Sequence, residues 1–178
     1  MTKRVSFLIV LATAVLCASA FGAAAATDPK RLVLQPSDVP RGATRTVLTG
    51  LKGATVSVPT VGRVRPYGVN YKFRRGSRVE SVGSVAFVFS SEAAAKTALA
   101  RARRGNSSMT FSRFSVPRLG DEQWTIGLFH RQASVAVFVV RSDEVIWETA
   151  VSDAPGLSRS TAISEGLKYA RKQRARVD

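Results

Sequence analysis

Val79-Glu-Ser-Val-Gly-Ser-Val-Ala-Phe-Val-Phe89 runs without a break into Ser90-Ser-Glu-Ala-Ala-Ala-Lys-Thr-Ala-Leu-Ala-Arg-Ala102. In the first half Val85, Phe87 and Phe89 fall on one side of an extended chain and Ala86 and Val88 on the other, because strand side chains alternate. Apolar residues on both sides predict a central strand covered on both faces. In the second half Ala95, Ala98, Leu99 and Ala102 recur at i, i+3, i+4 and i+7, the apolar stripe of a helix. Ser90 or Ser91 is a competent N-cap and Glu92 suits the positive end of the helix dipole. Arg101, Arg103 and Arg104 occupy the last turn, where cations complement the dipole, and Gly105-Asn106 ends it. The small residues of the stripe imply that this helix packs closely on the sheet.

Upstream, Tyr67 to Arg74 reads as a strand joined to Val79 to Phe89 across the turn Arg75-Gly76-Ser77. Ala43 to Pro66 is rich in Gly, Thr and Val and reads as irregular or edge-strand material, while Leu32 to Gly42, punctuated by Pro36, Pro40 and Gly42, reads as a docking segment. Downstream, strands are predicted over Glu122 to Phe129, Ala133 to Arg141 and Glu144 to Ser152. The middle one, apolar on both faces, is expected to be central, and the last, with Glu144 and Glu148 on one side, half exposed. Asp153-Ala-Pro-Gly156 breaks the sheet, and Ser158 or Ser160 opens a second helix toward Arg176 with Ile163, Gly166, Leu167 and Ala170 as its stripe. That stripe is narrow and lacks Trp or Phe, which favours docking on a sheet over insertion in a membrane. The order of elements predicts an α+β fold, an antiparallel sheet packed by two helices, in a single small domain after a signal peptide. The predicted boundaries are 1–26 for the signal peptide, 27–66 for an irregular N-terminal segment packing on the domain, and 67–178 for the α+β domain.

The export signal is read from Lys3 and Arg4, the apolar run Val5 to Leu16, and the small-residue sites Ala18-Ser-Ala20 and Ala24-Ala-Ala26. Cleavage is expected after Ala26, giving a secreted or extracytoplasmic protein. An N-terminal membrane anchor is the alternative, since Val5 to Ala26 approaches the roughly 20 residues of a membrane span, although its second half is Ala and Gly and inserts weakly. Lipidation at Cys17 is a third reading, disfavoured by Leu16 where a small residue is needed. Cys17 is the single cysteine, so the mature chain is expected to hold no disulfide and no thiol nucleophile.

Two of the 27 Lys and Arg leave with the signal, so 25 remain against 12 acidic residues, a formal net charge of +13. Such an excess attracts polyanions. For an exported chain the available partners are an anionic cell-wall polymer or a membrane surface, and export argues against nucleic acid. The densest basic group, Lys168, Arg171, Lys172, Arg174 and Arg176, is the candidate anion-binding site. Arg171, Lys172, Arg174 and Arg176 are expected to matter most and to lie on an exposed or terminal part of the helix, where removing a charge costs little, within about 0.5 kcal/mol per site. The competing reading is that the cations only solvate the surface.

Leu34-Gln-Pro-Ser-Asp-Val-Pro-Arg-Gly42, the Phe87 to Ala95 joint, Leu119-Gly-Asp-Glu122 and the closing basic helix together resemble uncharacterised secreted proteins of high-GC Gram-positive bacteria. The layout is more distantly similar to extracellular sensor domains of actinobacterial receptor kinases and to small lipoproteins with a PsbP-like sandwich. The sensor domains generally carry disulfides, which this chain lacks, and no catalytic residue is implied by the resemblance.

The chemical inventory is thin. His130 is the one histidine, with no second His or Cys to complete a zinc site, and no Gly-x-Ser-x-Gly elbow is present. Asp121-Glu122, as neighbours on a strand, are expected to face opposite sides and to serve a turn, not a glycosidase pair. Gly50-Leu-Lys-Gly53 lacks the helical context of an RNA-binding loop, and Asn106-Ser-Ser108 fits a glycosylation sequon. No catalytic, cofactor-binding or metal residue is assigned, and no cofactor is expected. The function expected is an exported noncatalytic binding or sensing module of unknown ligand. The alternatives are a basic adaptor to anionic envelope polymers or lipid head groups, and a hydrolase.

Overall fold

A computed structural model describes residues 27–49, 58, 63–105 and 111–178. The signal segment, Gly50-Leu-Lys-Gly53 and Asn106-Ser-Ser108 lie outside the described residues. Along the chain come β1 (Thr44–Val47), β2 (Arg63–Arg75), β3 (Arg78–Phe89), α1 (Glu92–Gly105), β4 (Ser112–Arg113), β5 (Glu122–Phe129), β6 (Ser134–Ser142), β7 (Val145–Ala154) and α2 (Arg159–Val177). All seven strands join one antiparallel sheet in the order β1-β2-β3-β7-β6-β5-β4. The α+β architecture is as expected from the sequence.

The two-sided apolar pattern of β3 is used on both sides. Val85, Phe87 and Phe89 pack with Ala95, Ala98, Leu99 and Ala102 of α1, joined by Trp124, Val137, Val139 and Ile146. Val82, Ala86 and Val88 turn to the opposite face, where Phe138, Val140 and Trp147 meet Tyr169 and Ala170 of α2. The sheet is therefore sandwiched between its two helices. Leu32, Val33 and Leu34 complete the α2 face and are fully buried. The Leu34 amide donates to Ser84 Oγ at 3.0 Å and the Tyr71 hydroxyl donates to the Leu34 carbonyl at 3.0 Å. A one-turn 3-10 helix, Pro36–Asp38, follows, and Thr44–Val47 forms the sheet edge on β2.

Two local expectations are corrected. β7 is not half exposed: it pairs with β3 on one side and β6 on the other, and Val145 to Thr149 are all buried. A pairing between strands so far apart in sequence leaves no local signature, so Glu148 read as a solvent residue. On α2 the buried stripe is Ala162, Gly166, Tyr169, Ala170 and Gln173, while Ile163 and Leu167 are only half buried. Gly166 and Gln173 explain the rotation. A Cβ at Gly166 would stand 2.5 Å from the Phe138 ring, so glycine lets the helix settle onto that ring. Gln173 donates to the Val85 carbonyl at 3.0 Å and accepts from Thr149 Oγ1 at 2.6 Å, a polar anchor satisfied inside the core.

Candidate functional site

Three chain segments far apart in sequence meet at one end of the sheet around an open cleft of about 630 Å³. β4 supplies Ser112, the end of β5 and the β5–β6 turn supply the run Leu128, Phe129, His130 and Arg131, and the β7–α2 junction supplies Gly156 to Arg159. Glycine is required where the last two meet. The Gly156 amide donates to the Arg131 carbonyl at 2.9 Å, and a Cβ there would lie 1.9 Å from the His130 carbonyl oxygen. The turn itself is closed by His130 N–H to the Ala133 carbonyl at 3.0 Å, and the Leu157 amide donates to Ser134 Oγ at 3.1 Å. Ser158 caps α2 by accepting from the Thr161 amide at 3.3 Å.

Arg159 is fixed before any ligand arrives. Its guanidinium lies over the Phe129 ring, 5.5 Å from the centroid, and donates to the Arg113 carbonyl at 2.8 Å. Phe129 is in turn held edge-on by Phe114 at 6.2 Å, which meets Phe138 at 5.4 Å. Among the described residues no carboxylate lines the cleft, and neither Arg131 nor Arg159 has a carboxylate partner. Arg75, Arg78, Arg103, Arg141, Lys168, Arg174 and Arg176 all do.

The α2 cations expected to bind anions also make contacts within the chain. Lys168 pairs with Glu165 at 2.6 Å, Arg174 with Asp178 at 2.9 Å and Arg176 with Asp38 at 2.7 Å. Lys172 donates to the Asp38 carbonyl at 2.5 Å and lies over the Tyr169 ring. Arg176 and Lys172 thus fasten α2 to the N-terminal segment, a role that helical periodicity does not reveal. Arg171 is exposed and makes no ion pair among the described residues.

Two further polar clusters are structural in geometry. Arg141 is buried and reaches Glu92 at 3.1 Å, Asp121 at 3.2 Å and Glu122 at 3.2 Å. Asp121 and Glu122 therefore converge on one cation, contrary to the expectation of opposite faces, because Asp121 precedes the strand and escapes its alternation. Glu80 and Asp153 are directly opposed across β3 and β7 beneath α2, both buried. Burial raises both carboxyls above their ordinary range, against the opposing pull of Arg75 and Arg78. Arg75 stands 3.5 Å from Glu80 and 3.3 Å from Glu165, and Tyr169, pushed up to about 12 by burial and then by Glu80, packs over them. Among the described residues no cluster of three or more His, Cys, Asp or Glu could hold a metal ion, and no helix is long and apolar enough to cross a membrane.

No family model and no curated protein sequence matches the chain. A solved structure does share the fold. The chain is similar to the extracellular domain of PknH from Mycobacterium tuberculosis, with a TM-score of 0.50 and 11% identity, covering 83% of this chain and 95% of that domain. Identity this low carries the fold alone. The sequence did single out His130 and the break at Asp153 to Gly156, but nothing in their spacing announces that the two turns form one cleft.

Proposed function

We propose that the protein is an exported, noncatalytic binding or sensing module that takes its ligand in the cleft between the His130 turn and the start of α2. The observation that carries this reading is the fold, shared along nearly the whole length of an extracellular domain. A second support is that the cleft gathers a preset guanidinium and an apolar wall, with no nucleophile and base in hydrogen-bond contact, which suits capture better than turnover. The segment Lys3 to Ala26, read as an export signal, is consistent with a location outside the cytoplasm.

Native mass spectrometry of the mature protein against lipid, polar and oligosaccharide fractions of a bacterial envelope tests the reading. The expected result is a saturable adduct that survives physiological salt and is released chemically unchanged. A released ligand of altered mass would convert the reading to an enzyme. A second reading, a basic adaptor to anionic polymers, is favoured by the +13 charge. It predicts unsaturable binding to wall polymer that vanishes as salt screens the contacts over roughly 8 Å.

A further inference from the structure

The geometry points to an anionic amphiphile as the ligand class of the cleft: an oxyanion head held by Arg131 and Arg159, with its apolar portion against Leu128, Phe129 and Leu157. This rests on the binding-module reading and adds the chemistry. Charge balance is the first argument. Among the described residues Arg131 and Arg159 have no carboxylate partner, as is true of several other cations, but here the two stand together in one cleft that no described acidic side chain lines. An anion is what such a concentration of uncompensated charge attracts. Preorganisation is the second. Arg159 is already stacked on Phe129 and tied to the Arg113 carbonyl, so little rotamer freedom is lost when its planar fork meets a phosphate or carboxylate. The third is the wall: Leu128, Phe129 and Leu157 are half buried beside those cations, surface that a purely polar anion leaves wet and an acyl or prenyl chain covers. The positive end of α2 adds a modest favourable field at the same place.

Lysophosphatidic acid, dispersed below its aggregation concentration, is the probe, titrated into the mature protein by calorimetry. Saturable binding with one molecule per chain is expected. Glycerol 3-phosphate, which has the head without the chain, and a neutral monoacylglycerol, which has the chain without the charge, should each bind at least about tenfold more weakly. The double variant Arg131→Gln/Arg159→Gln should lose at least about tenfold in affinity. The control Arg101→Gln/Arg171→Gln removes the same charge from exposed helix positions and should stay within about twofold. Because Arg159 also packs on Phe129, Arg131→Gln alone and Arg159→Lys, which keeps the charge and loses the fork, serve as gentler variants and should weaken binding as well. Vesicles of phosphatidylglycerol distinguish the source of the head group: binding that lysophosphatidic acid competes away places it in a bilayer, and absence of vesicle binding with retained binding of the dispersed lipid places it on a free molecule. The proposal is overturned if the control loses as much as the cleft variant, if the neutral lipid binds equally well, or if no saturable binding is found. An envelope-derived adduct that persists in the double variant would overturn this cleft chemistry while leaving the binding-module reading standing.

Discussion

Glu80 and Asp153 set the pH response at the scale of single residues. Both carboxyls are raised by burial, so between the ordinary carboxylate range and the raised values the folded chain holds more protons than the unfolded one, and stability falls as pH rises through that window. Glu165 runs the other way. Its hydrogen bond from Lys168, with Arg75 beside it, lowers its carboxyl, so its contribution is present above the ordinary value and is lost as pH falls below it. Glu80→Gln should therefore flatten the decline in stability as pH rises above the ordinary carboxylate range and leave the protein at least as stable as wild type at neutral pH. Urea unfolding from that range up to neutral pH reads it, and an unaltered slope would show that Glu80 does not titrate there. Gly156→Ala probes a different residue-scale constraint. Its Cβ collides with backbone, not with a flexible side chain, so a loss of about 1–3 kcal/mol is expected, and a neutral result would mean that the His130 turn yields freely.

At the scale of the element, α2 decides how the charge of the chain is spent. Helical periodicity treats Lys168 to Arg176 as a solvated face, but three of its five cations meet carboxylates and Lys172 meets a backbone carbonyl. Arg176 and Asp38 are both largely shielded, and Asp38 also accepts from the Gln35 amide at 2.7 Å. Arg176→Gln is expected to cost about 1 kcal/mol, whereas Arg171→Gln should stay within about 0.5 kcal/mol. Thermal unfolding of the two single variants separates a tethering helix from a purely solvating one: equal and negligible losses would return α2 to the solvated reading. The helix start is held independently by Ser158, and Ser158→Ala should cost about 1 kcal/mol.

For the whole molecule, mature protein recovered from outside the cytoplasm should begin at Thr27 by intact mass, and Met1 retained or a lipid adduct on Cys17 would overturn the cleaved-signal reading. Its thermal unfolding should be the same with and without reductant and chelator, because Thr27 to Asp178 contains no cysteine and a single histidine. The sequence alone determined the local elements: the two-sided pattern of Val85 to Phe89 and the stripe Ala95 to Ala102 are each legible within one window, because strand alternation and helical period are short-range properties of the chain. The break expected at Asp153-Ala-Pro-Gly156 comes two residues later, because Asp153 and Ala154 still pair with Glu80 and Val79 in the sheet. Tertiary structure decided what those windows meet. That β7 inserts beside β3, that Asp38 receives Arg176 from the far end of the chain, and that His130, Arg131 and Arg159 border one cleft are contacts between distant segments. They depend on sheet order and helix placement, which arise from burying both faces of the sheet at once and are not encoded at any one position.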